Sequence, residues 1–178
     1  MPFGGLSEIG VGPGDSVIVA PATGRFGGGA VTTALAMGAT VIACGRSETT
    51  LKKMKELFVH TGRIQTVILT GDAEKDAQLM IAASGNGSKG ADAYIDFSPA
   101  EAAASTHITA ALTALRPFGK AVFMGGIWGH VKLEYNVIML KSLRIQLRHQ
   151  HYFIGVVEAH CIMMIRAGSC MTGTWSCK

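Results

Sequence analysis

Six short apolar runs mark out the chain: Ser16 to Ala20, Thr40 to Cys44, Thr66 to Thr70, Ala91 to Ile95, Lys120 to Met124 and Leu143 to Leu147. They are rich in Val, Ile and Ala with little polar alternation, the pattern of strands covered on both faces. Helical spacing fills the gaps. Phe26 to Met37 opens after a glycine cluster. Leu51, Met54 and Phe58 then share a face beside Lys52, Lys53 and Lys55, with Ser47 as a candidate cap, and Ala73 to Ala83 follows Asp72. In Ser98-Pro99-Ala100-Glu101, a capping serine, a proline at the first helical position and a glutamate reaching back predict a helix start. Ile108, Ala111, Leu112 and Leu115 supply that helix with an apolar face, and Pro117 stops it. Alternating strand and helix predict an α/β doubly wound parallel sheet of about six strands, in the order 3-2-1-4-5-6.

Composition narrows the class. The 178 residues suffice for one domain with a substantial core, and 48% hydrophobic against 16% charged residues fits a globular protein. The net charge of +4 comes from scattered lysines and arginines, which argues against nucleic-acid binding. No basic start with a long apolar run and no membrane-length stretch is found, so a cytoplasmic protein without a membrane contact is expected. Cys44, Cys161, Cys170 and Cys177 form no CxxC pair, so reduced thiols are expected rather than a zinc ribbon or a disulfide framework.

The chemistry concentrates in "APATGRFGGGA", residues 20–30, between the first strand and its helix. Ala22, Gly24 and Gly27 stand in an A-x-G-x-x-G pattern. The first two let the turn tighten and backbone N–H groups approach a pyrophosphate, and Gly27 lets the helix pack close to the strand. A branched side chain at Gly27 is therefore expected to abolish cofactor binding with limited effect on folding. The competing reading is that the glycines serve helix packing alone. The second strand ends at Cys44-Gly45-Arg46-Ser47, where an acid holding the adenine ribose would stand and none does. Gly45 removes the repelling side chain and Arg46 offers a planar fork for a 2′-phosphate, so NADP is expected, with NAD possible. GxxxxGK[ST], GxSxG and HExxH are absent, as is a Tyr-x-x-x-Lys pair.

"GVGPGDSVIVAPATGRFGGGAVTTALAMGATVIACGRS", with "VILTGD", "ADAYIDFSPAEAAASTH", "ALRPFGKAVFMGGI" and "KSLRIQ", resembles the cofactor-binding domain of the medium-chain dehydrogenase/reductase superfamily, specifically zinc-type alcohol dehydrogenase-like proteins. The resemblance implies a Rossmann fold and hydride transfer between a nicotinamide cofactor and an alcohol or carbonyl compound. By position it assigns Thr23, Gly24, Arg25, Phe26 and Gly27 to the pyrophosphate turn, with Ala22 leading into it, and Gly45 and Arg46 to the adenosine phosphate. Thr70 to Asp72 would border the adenine. Ser98, Gly125 and Gly126 would line the ribose and nicotinamide, although a helix cap and a turn explain them equally well.

On the same resemblance, residues 1–14 read as the remnant of a linking helix and turn, 15–148 as the NAD(P)-binding domain and 149–178 as an atypical tail, with one helix over Phe153 to Ala167. The family's GroES-like catalytic domain is missing from this reading, which suggests a truncated product. His149, His151, His160, Cys161, Cys170 and Cys177 match no structural zinc spacing, and no metal is expected. Two functions stay open: the cofactor half of an NADP-dependent oxidoreductase, and a non-catalytic dinucleotide-binding or dimerisation module. Asp96, Tyr94 and His107 form no evident proton relay. The sixth strand, at a sheet edge, predicts a homodimer.

Overall fold

A computed structural model of the chain describes residues 2–148. The tail at 149–178, with its expected helix and candidate metal ligands, lies outside the described residues. Twelve helices and strands are described: α1 (Pro2–Glu8), β1 (Ser16–Ala20), α2 (Arg25–Ala36), β2 (Thr40–Gly45), α3 (Glu48–Leu57), β3 (Ile64–Ile68), α4 (Ala73–Ala83), β4 (Ala91–Asp96), α5 (His107–Ala114), β5 (Leu115–Phe123), α6 (Tyr135–Leu140) and β6 (Arg144–Leu147). Single 3-10 turns sit at Val59–Thr61, Gly87–Lys89 and Ala100–Ala102.

All the strands pair in parallel in one sheet of order β3-β2-β1-β4-β5-β6, the order expected. Each face is covered because alternate side chains feed different layers. Val17 and Val19 of β1 pack with Leu6 and Ile9, with Ala30, Val31, Ala34 and Leu35 of α2, and with Leu51 of α3. Ile18 and Ala20 face the opposite way, toward Ala77 and Met80 of α4 and Ile108, Ala111 and Leu112 of α5. This is why the strands read as unbroken apolar runs. The order reverses between β1 and β4, leaving a crevice at the carboxyl ends of those two strands, where open α/β sheets take ligands.

Several boundaries differ from the sequence expectation. The third strand runs Ile64–Ile68 rather than Thr66 to Thr70, because the Thr70 amide and hydroxyl are drawn off by Asp76 Oδ1, at 2.9 and 2.8 Å. No helix starts at Ser98: the Ser98 hydroxyl is already bonded to Asp96 and His107, and α5 begins only at His107. That helix ends at Ala114, so Pro117 lies inside β5 instead of stopping a helix. The β4–β5 register jumps from Ala91↔Leu115 to Ala93↔Lys120, and in the intervening bulge a proline costs no ladder bond. The helix over Phe26 to Met37 is displaced by one residue, with Met37 as C-cap, and α6 carried no recognised sequence signal.

Polar ties lock the amino-terminal ends of the strands. Asp92 accepts from the Ser16 amide and hydroxyl, at 2.8 and 2.7 Å, and from Arg116 Nε at 2.5 Å, joining β1, β4 and β5. Lys141 donates to the carbonyls of Thr113 and Leu115, at 2.5 and 2.7 Å, which satisfies acceptors at the end of α5. Neither tie touches the crevice.

Candidate dinucleotide cleft

A cleft of about 630 Å³ opens over the carboxyl ends of β1, β2 and β4. Its first wall is the β1–α2 turn, with Thr23, Gly24, Arg25, Phe26 and Gly27. Gly24 is extended and caps α2 without a side-chain hydrogen bond, so the first backbone N–H groups of α2 keep no intrahelical acceptor. A Cβ at Gly24 would meet nothing within 4 Å, leaving room over those donors. The helix can approach because Gly27 is bare: a Cβ there would overlap the Pro21 carbonyl oxygen and lie 2.8 Å from Ala22 Cα.

The second wall carries Gly45 and Arg46 at the end of β2, then Leu69, Thr70 and Gly71. A Cβ at Gly45 would stand 2.6 Å from Thr23 Cγ2, so the missing side chain also lets the two walls meet. Asp76, buried, holds the Thr70–Gly71 segment in place, accepting from both amides and from the Thr70 hydroxyl. Asp72 stays out of the lining and caps α4, accepting from the Glu74 and Lys75 amides. The third wall is Phe97, Pro99, Glu101, Ala102, Ser105, Thr106 and His107. Phe26 stacks on Phe97 with ring centroids 6.1 Å apart, and Thr106 donates to the Gly71 carbonyl at 3.0 Å, so the walls are joined at two points.

Of the residues singled out from the sequence, Thr23 to Gly27, Gly45 and Arg46 come together in this cleft, and four do not. Ala22 is buried beneath the turn, its amide bonded to the Cys44 carbonyl at 2.7 Å. Ser98 is fully buried behind the wall. Gly125 lines a second, mainly apolar cleft of about 450 Å³ between α5 and β6, and Gly126, whose amide donates to the Ser98 carbonyl, lines neither.

Asp96, Tyr94 and His107, which formed no evident relay in the sequence, gather with Ser98 and Ser105 in one polar cluster. Asp96 Oδ1 accepts from Ser98 Oγ at 2.5 Å and from Tyr94 at 3.1 Å; Ser98 Oγ lies 2.7 Å from His107 Nε2; and His107 Nδ1 lies 2.6 Å from Ser105 Oγ. Burial, and after it the Asp96 carboxylate, push the Tyr94 phenol far above its ordinary range. The period-two spacing of Tyr94, Asp96 and Ser98 was a usable signal, since such residues share a side. Nothing in the sequence showed that His107 would meet them.

Residues 26–157 match the family described as zinc-binding dehydrogenase. Among solved structures, the alcohol dehydrogenase TADH from Thermus sp. ATN1 is 23% identical with a TM-score of 0.66, over 83% of this chain and 39% of that one. An alcohol dehydrogenase superfamily protein from Novosphingobium aromaticivorans is 23% identical with a TM-score of 0.62, over 82% and 39%. The nucleotide-binding subdomain of the enoylreductase domain of PpsC from Mycobacterium tuberculosis is 19% identical with a TM-score of 0.63, over 93% and 83%. The chain thus spans about two fifths of the length of the dehydrogenases and most of the isolated subdomain. No curated protein matches. Among the described residues no three His, Cys, Asp or Glu side chains gather as zinc ligands would, so these residues do not fit that metal, and no helix there is long and apolar enough to cross a membrane. Its sequence match and its sheet together establish that this chain belongs to the zinc-binding dehydrogenase family and carries that family's dinucleotide-binding domain.

Proposed function

We propose that this domain holds NADP(H) in preference to NAD(H), for hydride transfer between the nicotinamide and an alcohol or carbonyl compound. The observation that carries the reading is the combination, in one cleft, of the uncapped α2 start with the guanidinium side chains of Arg25 and Arg46. Free N–H groups at a helix start suit a pyrophosphate, and a planar guanidinium suits a phosphate at the ribose 2′ position. The open space over Gly24 and the bare Gly45 are what such a ligand needs. When bound, the cofactor supplies or accepts the hydride. The residues of this domain bind and orient it. Within the proposal Ala22, Ser98, Gly125 and Gly126 support the walls from behind instead of touching the ligand.

Calorimetric titration of the chain with NADPH and NADH tests this. A hydrogen bond to a charged group is worth about 1.5–3 kcal/mol, so NADPH should bind roughly tenfold or more tightly, and Arg46→Ala should erase most of the difference. Equal affinities in the unaltered chain would reject the NADP assignment.

A further inference from the structure

The buried Asp96 cluster has a direction, set by counting protons. Three donors converge on Asp96: the Tyr94 hydroxyl and the Ser98 hydroxyl on Oδ1, and the Ser98 amide on Oδ2 at 3.2 Å. An ionised carboxylate only accepts, so the single Ser98 hydroxyl proton is committed to it. Ser98 Oγ must then accept from His107 Nε2, 2.7 Å away, which places the imidazole proton on Nε2. His107 Nε2 also lies 3.7 Å from Asp96 Oδ1; with the imidazole neutral, Nε2–H leaves Nδ1 bare, and its partner, Ser105 Oγ at 2.6 Å, then donates. Ser105 is exposed on the cleft wall. Its one proton points inward, so it shows the cleft only lone pairs.

We propose that Ser105 Oγ is a dedicated acceptor for a sugar hydroxyl of the bound dinucleotide, its polarity imposed by Asp96 through Ser98 and His107. The inference rests on the reading of the cleft as a dinucleotide site. The chemistry of the other walls supports the assignment. Arg25 and Arg46 carry donors only, which suit phosphate oxygens, whereas a fixed acceptor repels phosphate and suits a hydroxyl. The relay is rigid at its inner end. Gly125 packs directly on it, since a Cβ there would lie 2.6 Å from both Asp96 Oδ2 and the Ser98 carbonyl oxygen, and Met124 and Gly126 donate their amides to the Asp96 and Ser98 carbonyls. His107 and Ser98 are both buried, which holds the two side chains in this arrangement. His107 and Ser98 are positioning residues, and Ser105 is the contact.

Nitrogen-15 NMR of histidine-labelled full chain at about pH 8.5, where an ordinary imidazole is neutral, reads the tautomer directly, with the His107 signals assigned by their loss in His107→Asn. The expected result is Nε2–H with a bare Nδ1; Nδ1–H would overturn the proposal. Asp96→Asn should flip it, because an amide N–H₂ donates to Ser98 Oγ, Ser98 then donates to Nε2, and Nδ1–H turns the Ser105 proton into the cleft. A folded Asp96→Asn chain with the tautomer unchanged would remove Asp96 from its role. Ser105→Ala, checked for folding by its urea midpoint because it also leaves His107 Nδ1 without its partner, should weaken NADPH binding by about fivefold, the usual worth of one neutral hydrogen bond. Unchanged affinity in Ser105→Ala overturns the contact while leaving the dinucleotide reading intact. An unaltered chain that binds neither NADPH nor NADH would reject the dinucleotide reading, and the contact with it, whatever the tautomer.

Discussion

At the scale of single residues, two neighbouring glycines of α2 separate what glycine does for binding from what it does for folding. A branched side chain at Gly27 was expected to abolish cofactor binding with limited effect on folding, yet the Cβ of any other residue would collide with the backbone of Pro21 and Ala22. Gly27→Val is therefore expected to cost stability as well, by about 1–3 kcal/mol or more as overpacking does, read as a lowered urea midpoint. Gly28, one position along α2, is the control: the nearest atom to its Cβ would be 4.0 Å away. Gly28→Ala should raise stability by about 0.5–1 kcal/mol, by restricting the unfolded chain, and leave NADPH affinity unchanged. A Gly28→Ala chain that loses affinity would show that the ligand reaches farther along the helix than the turn.

At the scale of elements, stability depends on polar side chains that join them. Asp72 caps α4 through the Glu74 and Lys75 amides, and Asp72→Ala should cost about 1 kcal/mol in chemical denaturation. Asp92 couples β1, β4 and β5 and makes the fold sensitive to acid. Burial pushes its pKa up, but the Ser16 hydroxyl and amide and the Arg116 guanidinium outweigh that and hold it below the ordinary carboxylate value. A depressed folded-state pKa gives stability that is fully present above the unfolded value, about 3.9, and is lost as the pH falls through the lower folded one. Denaturation midpoints should drop as pH is lowered from about 5 toward 3, and Asp92→Asn should flatten that slope while lowering the plateau at neutral pH. An unchanged slope in the variant would mean that other carboxylates carry the acid response.

At the scale of the molecule, β6 is the last strand of the sheet among the described residues, and it carries an exposed apolar side chain. Leu147 on that strand is 83% exposed, and Phe118 of β5 and Leu140 of α6 are exposed as well. An edge strand with unpaired backbone groups and apolar neighbours favours pairing with a second copy, and a homodimer through β6 is the assembly we propose. Leu147→Lys places a charge on the edge without touching the core. It should convert the dimer to monomer in light scattering at tens of micromolar, roughly where such contacts are populated, with the melting temperature of the monomer preserved. A monomer in the unaltered chain would reject the assembly.

Much of this protein was legible in its sequence because its signals are local. The apolar runs specify strands covered on both faces, the Gly24 and Gly27 spacing specifies a tight turn from strand to helix, and Ser47 and Asp72 announce their helices, whichever way the rest folds. Local patterning misled at Ser98-Pro99-Ala100-Glu101, where a sound capping box lost its serine to a stronger buried partner. Tertiary structure alone decided that His107, nine residues farther on, would meet Ser98 and Asp96, that Gly45 would have to make room for Thr23, and that Pro117 would ride a bulge inside a strand. Hydrogen-bond polarity and close packing depend on distances between segments far apart in the chain, and those distances exist only once the sheet has set β1 between β2 and β4, and β4 beside β5.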